Sequence, residues 1–76
     1  MSNYKIHITR DPGIMLGKPI IKGTRITVEL IMRKLAGGYS IDEILQMYPH
    51  LTKEQISAAF EYAADMIANE VTMDTV

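Results

Sequence analysis

The sequence contains no cysteine and no tryptophan. Without cysteine the chain can form neither a disulfide nor a thiolate metal site. No stretch approaches the ~18 consecutive apolar residues of a membrane-spanning helix, and the first residues lack the apolar core of a secretory signal. These absences predict a cytoplasmic protein that does not contact a membrane.

Groups that carry metal or nucleophilic chemistry are also scarce. The two histidines, His7 and His50, stand far apart in the chain, and neither has a second ligand at metal spacing. We assign His50 a structural role in a turn. Residues 17–24 contain two glycines and two lysines but lack the full spacing of a phosphate-binding P-loop, and no nucleophile elbow occurs. The sequence therefore predicts a protein that is not an enzyme and has no cofactor, metal or small-molecule substrate.

The chain is a single small domain whose two halves carry charge of opposite sign. A chain of 76 residues buries only ~60% of its unfolded surface, so we expect a homodimer to add stability. Residues 1–34 have seven basic and two acidic side chains, a net charge of +5, whereas residues 35–76 have one basic and seven acidic, a net charge of −6. This split favours binding an anion at one end and a basic protein at the other. The alternative is that the two halves pack against each other, within one chain or across a dimer.

Three helices are predicted after residue 26, and each has a start signal that satisfies its first free amide groups. Thr27 is the N-cap of the first helix, which Gly37-Gly38 ends. The other two helices begin with capping boxes. In a capping box, the N-cap hydroxyl and the side chain three residues later each accept a hydrogen bond from the backbone N–H of the other residue. The boxes pair Ser40 with Glu43 and Thr52 with Gln55.

The second and third helices form a predicted helix-turn-helix, with a turn of about three residues between them. The second spans about residues 41–48, where Pro49 stops it, and the third spans about residues 53–69. Residues 70–76 are predicted to fray. Apolar residues at helical spacing predict one buried face on each helix. Those expected to be buried are Val28, Ile31, Leu35, Ile41, Ile44, Leu45, Tyr48, Ile56, Ala59, Phe60, Ala63 and Ile67.

Residues 1–26 are predicted to hold a β strand followed by a loop rich in glycine and proline. Residues 4–9 alternate in polarity, which places Ile6 and Ile8 on one face of a strand. A single strand is not stable alone. Its partner is either the extended segment around Ile20 and Ile21 or the same strand of a second copy. The predicted order is thus residues 1–26 as strand and loop, residues 27–69 as the helical domain, and a tail.

Two sets of side chains are candidate DNA contacts. In a helix-turn-helix the third helix meets base edges with its first turns, where Lys53, Gln55 and Ser57 supply donors. Acidic residues on the same helix would be repelled by phosphates. The more natural phosphate contacts lie before Gly38 and are Lys18, Lys22, Arg25, Arg33 and Lys34. For Arg25 the alternative is a structural role, in which it holds the loop by a bond to a carboxylate or a helix C-terminus.

Two motifs match a known family. Residues 17–26 read Gly-Lys-Pro-Ile-Ile-Lys-Gly-Thr-Arg-Ile, and residues 48–52 read Tyr-Pro-His-Leu-Thr. With the upstream Asp11-Pro12 they closely resemble the domain-of-unknown-function family 433, and the resemblance covers about Ile8 to Ala64. One departure is Met15-Leu16, because many members carry a further glycine before Gly17. The motif residues are Gly17, Pro19, Gly23, Thr24, Arg25, Tyr48, Pro49, His50, Leu51 and Thr52.

The resemblance implies a mainly α fold, a homeodomain-like three-helix bundle with a helix-turn-helix, preceded by a short β segment. Members are regarded as antitoxins of type II toxin–antitoxin systems, beside a toxin with a PIN-like nuclease domain. The leading hypothesis is an antitoxin that neutralises such a toxin by protein binding and represses its own promoter. The alternatives are a stand-alone DNA-binding regulator and a dimeric interaction module with no DNA role.

Overall fold

The fold consists of three helices that follow a short antiparallel sheet of two strands. It is given by a computed structural model that describes residues 4–69, so the tail predicted at 70–76 lies outside the described residues. None of the described helices has the length and apolarity needed to cross a bilayer. The elements are β1 (Ile8–Thr9), β2 (Ile20–Ile21), α1 (Val28–Ala36), α2 (Ile41–Met47) and α3 (Lys53–Ala68). The mainly helical fold with a preceding β segment is therefore confirmed.

The predicted start signals all form. The Thr27 hydroxyl accepts a hydrogen bond of 2.9 Å from the backbone N–H of Leu30. Both capping boxes are complete in both directions, at the start of α2 and at the start of α3. Each bond satisfies an amide group that has no partner inside its helix. Local sequence therefore fixes where each helix begins.

The helix ends also lie close to their predicted positions. Gly38 follows α1 with φ of +100°, the left-handed geometry that glycine adopts without steric cost. α2 ends at Met47, one residue earlier than predicted, and Tyr48 caps it immediately before Pro49. α3 ends at Ala68 rather than 69.

The strand predicted over residues 4–9 is wrong in its first half. Tyr4–Ile6 forms a 3₁₀ turn, and only Ile8–Thr9 is extended. Ile6 is 61% exposed whereas Ile8 is buried, so the two side chains do not share a face. Tyr4 instead packs edge-on against Tyr62 of α3, with ring centroids 5.5 Å apart. Alternation along the chain does not encode this long-range aromatic contact.

The partner of β1 is β2 of the same chain. Ile8 lies opposite Ile21, and Thr9 lies opposite Ile20. β2 is also paired with the residues that lead into α1, through a bridge from Ile20 to Thr27. Of the two predicted partners, the structure therefore shows the intramolecular one.

The core lies where the three helices meet the sheet. Five isoleucines are its largest fully buried side chains: Ile20, Ile21, Ile31, Ile44 and Ile56. Burial of Ala58 was not predicted, and the predicted burial of Ile67 is wrong, since that side chain is 69% exposed. α3 has 16 residues, whereas α1 has nine and α2 has seven. Its last turns, from Ala64 onward, therefore extend past the helices that would cover them.

Candidate binding surface around the motif loop

The loop of residues 17–26, called the motif loop below, is held by its own polar groups. The Thr24 hydroxyl donates to the carbonyl of Ile21 at 2.8 Å and accepts from the N–H of Ile26 at 3.0 Å. Gly23 has φ of +81°, which favours glycine at this turn. After it, the N–H of Val28 donates to the carbonyl of Pro19 at 3.0 Å. The motif residues thus fix the path of the chain into α1.

Arg25 has no such internal role. Its side chain is exposed and forms no hydrogen bond or ion pair with any residue from 4 to 69. The structural role predicted for Arg25, a bond to a carboxylate or to a helix C-terminus, is therefore not formed in the described residues. Thr24 closes the loop instead. Arg25 is left as a cation available to a ligand.

Arg25 and Arg10 line one open cleft of about 560 Å³ between the turn after β1 and the motif loop. Arg10 is held in place by α3, because its Nε and Nη2 donate to the hydroxyl oxygen of Tyr62 at 3.1 and 2.7 Å. Asp11 also lines the cleft, and its Oδ1 accepts the N–H of Gly13 at 2.9 Å. The cleft thus combines one fixed guanidinium group with one that is free.

Sequence reasoning missed Arg10. Its position in the site depends on Tyr62, which is 52 residues away in the chain. The pattern of residues near Arg10 in the sequence does not indicate that contact. The available signal was weak: a basic residue directly after the predicted strand, beside turn-forming Asp11.

Lys18 and Arg33, both predicted phosphate contacts, share one carboxylate. Lys18 Nζ lies 2.9 Å from Oε1 of Glu29, and Arg33 Nε lies 3.0 Å from Oε2. The hydrogen bonds from Lys18 and then from Arg33 lower the pKa of the Glu29 carboxyl below its ordinary value. Because Glu29 offsets part of their charge, these two residues are weaker candidates for phosphate contacts than the sequence indicates.

The remaining predicted cations of this half differ in their surroundings. Lys34 Nζ lies 5.1 Å from the centre of the Tyr39 ring, in a cation–π contact. Lys22 is exposed and, like Arg25, has no side-chain partner within the described part of the chain. Lys22 and Arg25 are therefore the two predicted contacts of this half whose side chains have no partner within residues 4–69.

The candidate contacts on α3 lie elsewhere. Lys53 and Ser57 line a separate cleft of about 320 Å³, which also contains the carboxylate of Asp42. The Oε1 atom of Gln55 is engaged, since it accepts the N–H of Thr52 at 2.8 Å. No residue lines both this cleft and the cleft of Arg25. The structure thus separates the two predicted sets of DNA contacts.

The second motif, residues 48–52, forms the turn between α2 and α3. The N–H of Leu51 donates to the carbonyl of Tyr48 at 2.9 Å, the Leu51 side chain is buried, and Thr52 caps α3. Pro49 and His50 are exposed. These contacts give the motif a structural role.

A strained turn adjoins the cleft. Met15, Leu16 and Gly17 have φ of 50°, 59° and 79°, so three successive residues are left-handed. For a residue other than glycine this geometry costs roughly 1–2 kcal/mol. Leu16 is also 93% exposed, so burial within the chain does not offset the cost. The sequence signal for this feature was the pair Met15-Leu16 at a position where many members of the resembled family carry glycine.

Comparison with known proteins assigns the chain to a family. Residues 8–63 match the family described as Protein of unknown function (DUF433). The chain is similar to the uncharacterized protein y4eO of Sinorhizobium fredii, with 36% identity over 56 residues that make up 74% of this chain and 25% of that protein. A crystal structure of a DUF433 member protein from Anabaena variabilis superimposes with a TM-score of 0.79 at 34% identity, covering 82% of this chain and 61% of that one.

The chain thus spans a quarter of the curated relative and less than two thirds of the crystallised one. The family match includes the motif loop, the turn at residues 48–52 and the start of every helix. It covers 56 of the 76 residues, and the chain belongs to the DUF433 family of proteins of unknown function.

Proposed function

We propose that the chain is a small homodimeric antitoxin of a type II toxin–antitoxin pair, which binds and neutralises a PIN-like nuclease toxin. The observation that carries the proposal is Leu16, an apolar side chain that is 93% exposed on a left-handed turn. Strained backbone concentrates at binding sites, where it presets the geometry of a contact. A partner that buries Leu16 gains apolar burial without first ordering a flexible loop.

Charge supports a basic partner for the helical half. Asp42, Glu43 and Glu54 are exposed at the starts of α2 and α3. A nuclease that binds RNA phosphates presents a basic surface, and complementary charge accelerates the encounter of two proteins and selects the right partner. The exposed carboxylates at the starts of α2 and α3 are complementary in charge to such a basic surface.

The test is co-expression with the product of the neighbouring gene, followed by co-purification and a growth assay. We compare the wild type with Leu16→Asn and with Ile67→Asn. The second variant is a matched control, because Ile67 is also an exposed apolar residue and lies on the last turn of α3. Asparagine tolerates left-handed geometry, so the Leu16 variant keeps its fold.

We expect the wild type and Ile67→Asn to retain the toxin and to relieve its toxicity, whereas Leu16→Asn retains at least about tenfold less, as the loss of a well-packed apolar anchor predicts. Absence of any complex with the wild type contradicts the antitoxin proposal. Equal retention by all three proteins contradicts the role of Leu16 alone.

A second candidate function, DNA binding as a regulator, is favoured by the unshared charges of Lys22 and Arg25. In this case the motif loop supplies most of the phosphate contacts, and α3 contributes less to DNA binding. A gel shift with DNA upstream of the gene tests it at low salt, where phosphate contacts are strongest. We expect Arg25→Ala to weaken binding more than Lys53→Ala does. No retardation at low salt would exclude this candidate.

A further inference from the structure

We propose that the cleft between the turn after β1 and the motif loop is a phosphate-binding site, with the guanidinium groups of Arg10 and Arg25 as its main donors. This inference rests on the second candidate function for its link to DNA and is independent of toxin binding. Neither arginine is neutralised in the described structure. Arg10 is bonded to the uncharged hydroxyl of Tyr62, and Arg25 has no side-chain partner.

The two arginines contribute in different ways. The bonds to Tyr62 use Nε and Nη2 of Arg10, so its Nη1 remains for a ligand, on a group whose orientation is already fixed. All donors of Arg25 are free within residues 4–69. A fixed donor lowers the entropy lost on binding, while a free one adjusts to the ligand.

Backbone groups add to these donors. The N–H groups of Gly23 and Arg25 donate no hydrogen bond to any atom of the described residues. Gly23, Thr24 and Arg25 all line the cleft. The hydroxyl of Thr24 is already used inside the loop, so the two backbone amides and groups of the two guanidiniums remain as donors without a partner among the residues of the cleft.

This donor set suits a phosphate group better than a carboxylate. A phosphate has three or more acceptor oxygens, and guanidinium groups bind it with paired, charge-assisted bonds. A carboxylate has two oxygens and leaves part of such a set unsatisfied. The carboxylate of Asp11 also lines the cleft and reduces its charge, but two arginines against one aspartate leave a net of +1.

The test follows backbone amide signals by NMR while inorganic phosphate is added to the wild type, Arg25→Gln and Lys22→Gln. Lys22 is the matched control, because it is an exposed cation of the same loop that does not line the cleft. Arg25 is exposed and bonded to no described side chain, so its replacement leaves the fold intact, as the unshifted signals of α2 and α3 will show.

We expect phosphate to shift the amides of Gly23, Thr24 and Arg25 in the wild type. Loss of a charge-assisted pair predicts about tenfold weaker binding in Arg25→Gln, whereas Lys22→Gln changes it less than about twofold. Equal losses of phosphate affinity in the two variants overturn the site, because they show that phosphate responds to the overall positive charge of the loop. Acetate binding as tightly as phosphate overturns the choice of phosphate.

Adding short duplex DNA to the phosphate-bound protein distinguishes a nucleic-acid backbone from a free phosphate group as the ligand. Displacement of phosphate supports the site and identifies the nucleic-acid backbone as its ligand, and phosphate binding without displacement supports the site for a free phosphate group. Loss of phosphate binding in Arg25→Gln with toxin co-purification unchanged distinguishes this site from the antitoxin function. A wild type that binds no phosphate overturns the inference and leaves the antitoxin proposal standing.

Discussion

Two parts of the molecule differ in how well their local sequence preferences agree with the observed structure. They are the helical part, residues 27–69, and the hairpin with its motif loop, residues 4–26. In the helices, caps, boxes and apolar spacing all favour the observed structure. In the other part, Leu16 is left-handed and exposed, and Arg25 is charged and without a side-chain partner among the described residues. Sequences that fold well are locally consistent, and departures concentrate where a protein binds. The difference therefore locates the candidate binding surface in the first part.

The difference does not mean that the hairpin is dispensable for the fold. Ile20 and Ile21 of β2 are as deeply buried as Ile31 of α1 and Ile44 of α2. β2 belongs to the core, whereas the residues before and after it form the strained turn and line much of the cleft. The contribution to the core and the candidate binding surface thus involve mostly different residues of one short segment.

The largest expected effect tests whether the hairpin belongs to the core. Ile21→Ala and Ile44→Ala each remove a fully buried side chain, and we expect each to lower the free energy of unfolding by about 3 kcal/mol. Urea unfolding followed by circular dichroism measures both. A loss below about 1 kcal/mol for Ile21→Ala alone would show that the helices form the core without the hairpin.

A second comparison sets a helix cap against a loop bond. Ser40→Ala removes the hydroxyl of the α2 capping box, and Thr24→Ala removes the hydroxyl that joins two backbone groups of the motif loop. We expect each to lower the free energy of unfolding by about 1 kcal/mol. Chemical unfolding is the measurement. No change in Thr24→Ala would mean that the loop does not depend on that hydroxyl.

A smaller effect concerns the contact between the two parts. Tyr62→Phe removes the acceptor of both Arg10 bonds while keeping the ring that packs against Tyr4. We expect the free energy of unfolding to fall by about 0.5–1 kcal/mol, the usual net value of an intramolecular hydrogen bond. Tyr39→Phe serves as the control, since it removes a hydroxyl that has no hydrogen-bond partner within residues 4–69 and keeps the ring that faces Lys34. Equal losses in the two variants would contradict a specific contribution of the Arg10 bonds.

The smallest expected effect is the pH dependence from Glu29. Its pKa in the folded chain is below the ordinary value, because Lys18 and Arg33 donate to the carboxylate. The contribution to stability is therefore fully present above the ordinary pKa and is lost as pH falls through the lower folded pKa. We expect the wild type to lose slightly more stability than Glu29→Gln between about pH 6 and about pH 3. Identical pH profiles at low salt would show that the ion pairs contribute nothing.

The sequence predicts what depends on near neighbours in the chain. Thr27, the two capping boxes and Gly38 act over three or four residues, and each has its predicted role. The errors involve distant contacts. Tyr4 turns inward to Tyr62, and Ile67 is uncovered because α3 is longer than its neighbours.

The candidate site was predicted in part for the same reason. Lys22 and Arg25 keep their unshared charge. The pairing of Lys18 with Glu29, 11 residues away, depends on the fold. Arg33 lies only four residues after Glu29 on α1, so the sequence already contained the signal for that pair. Arg10 joins the cleft only through α3. The exposure of Leu16 on left-handed backbone is also a property of the folded turn. The pattern of residue types along the sequence does not reveal it.

The most direct test of the difference between the two parts is the free energy of unfolding of Leu16→Gly. Glycine removes the left-handed strain of roughly 1–2 kcal/mol and adds a chain-entropy loss of roughly 0.5–1 kcal/mol. Since Leu16 is almost fully exposed, no burial is lost. We predict a protein more stable than the wild type by roughly 0.5–1 kcal/mol. A variant that is less stable than the wild type would contradict the claim that this turn is strained for binding rather than built for the fold.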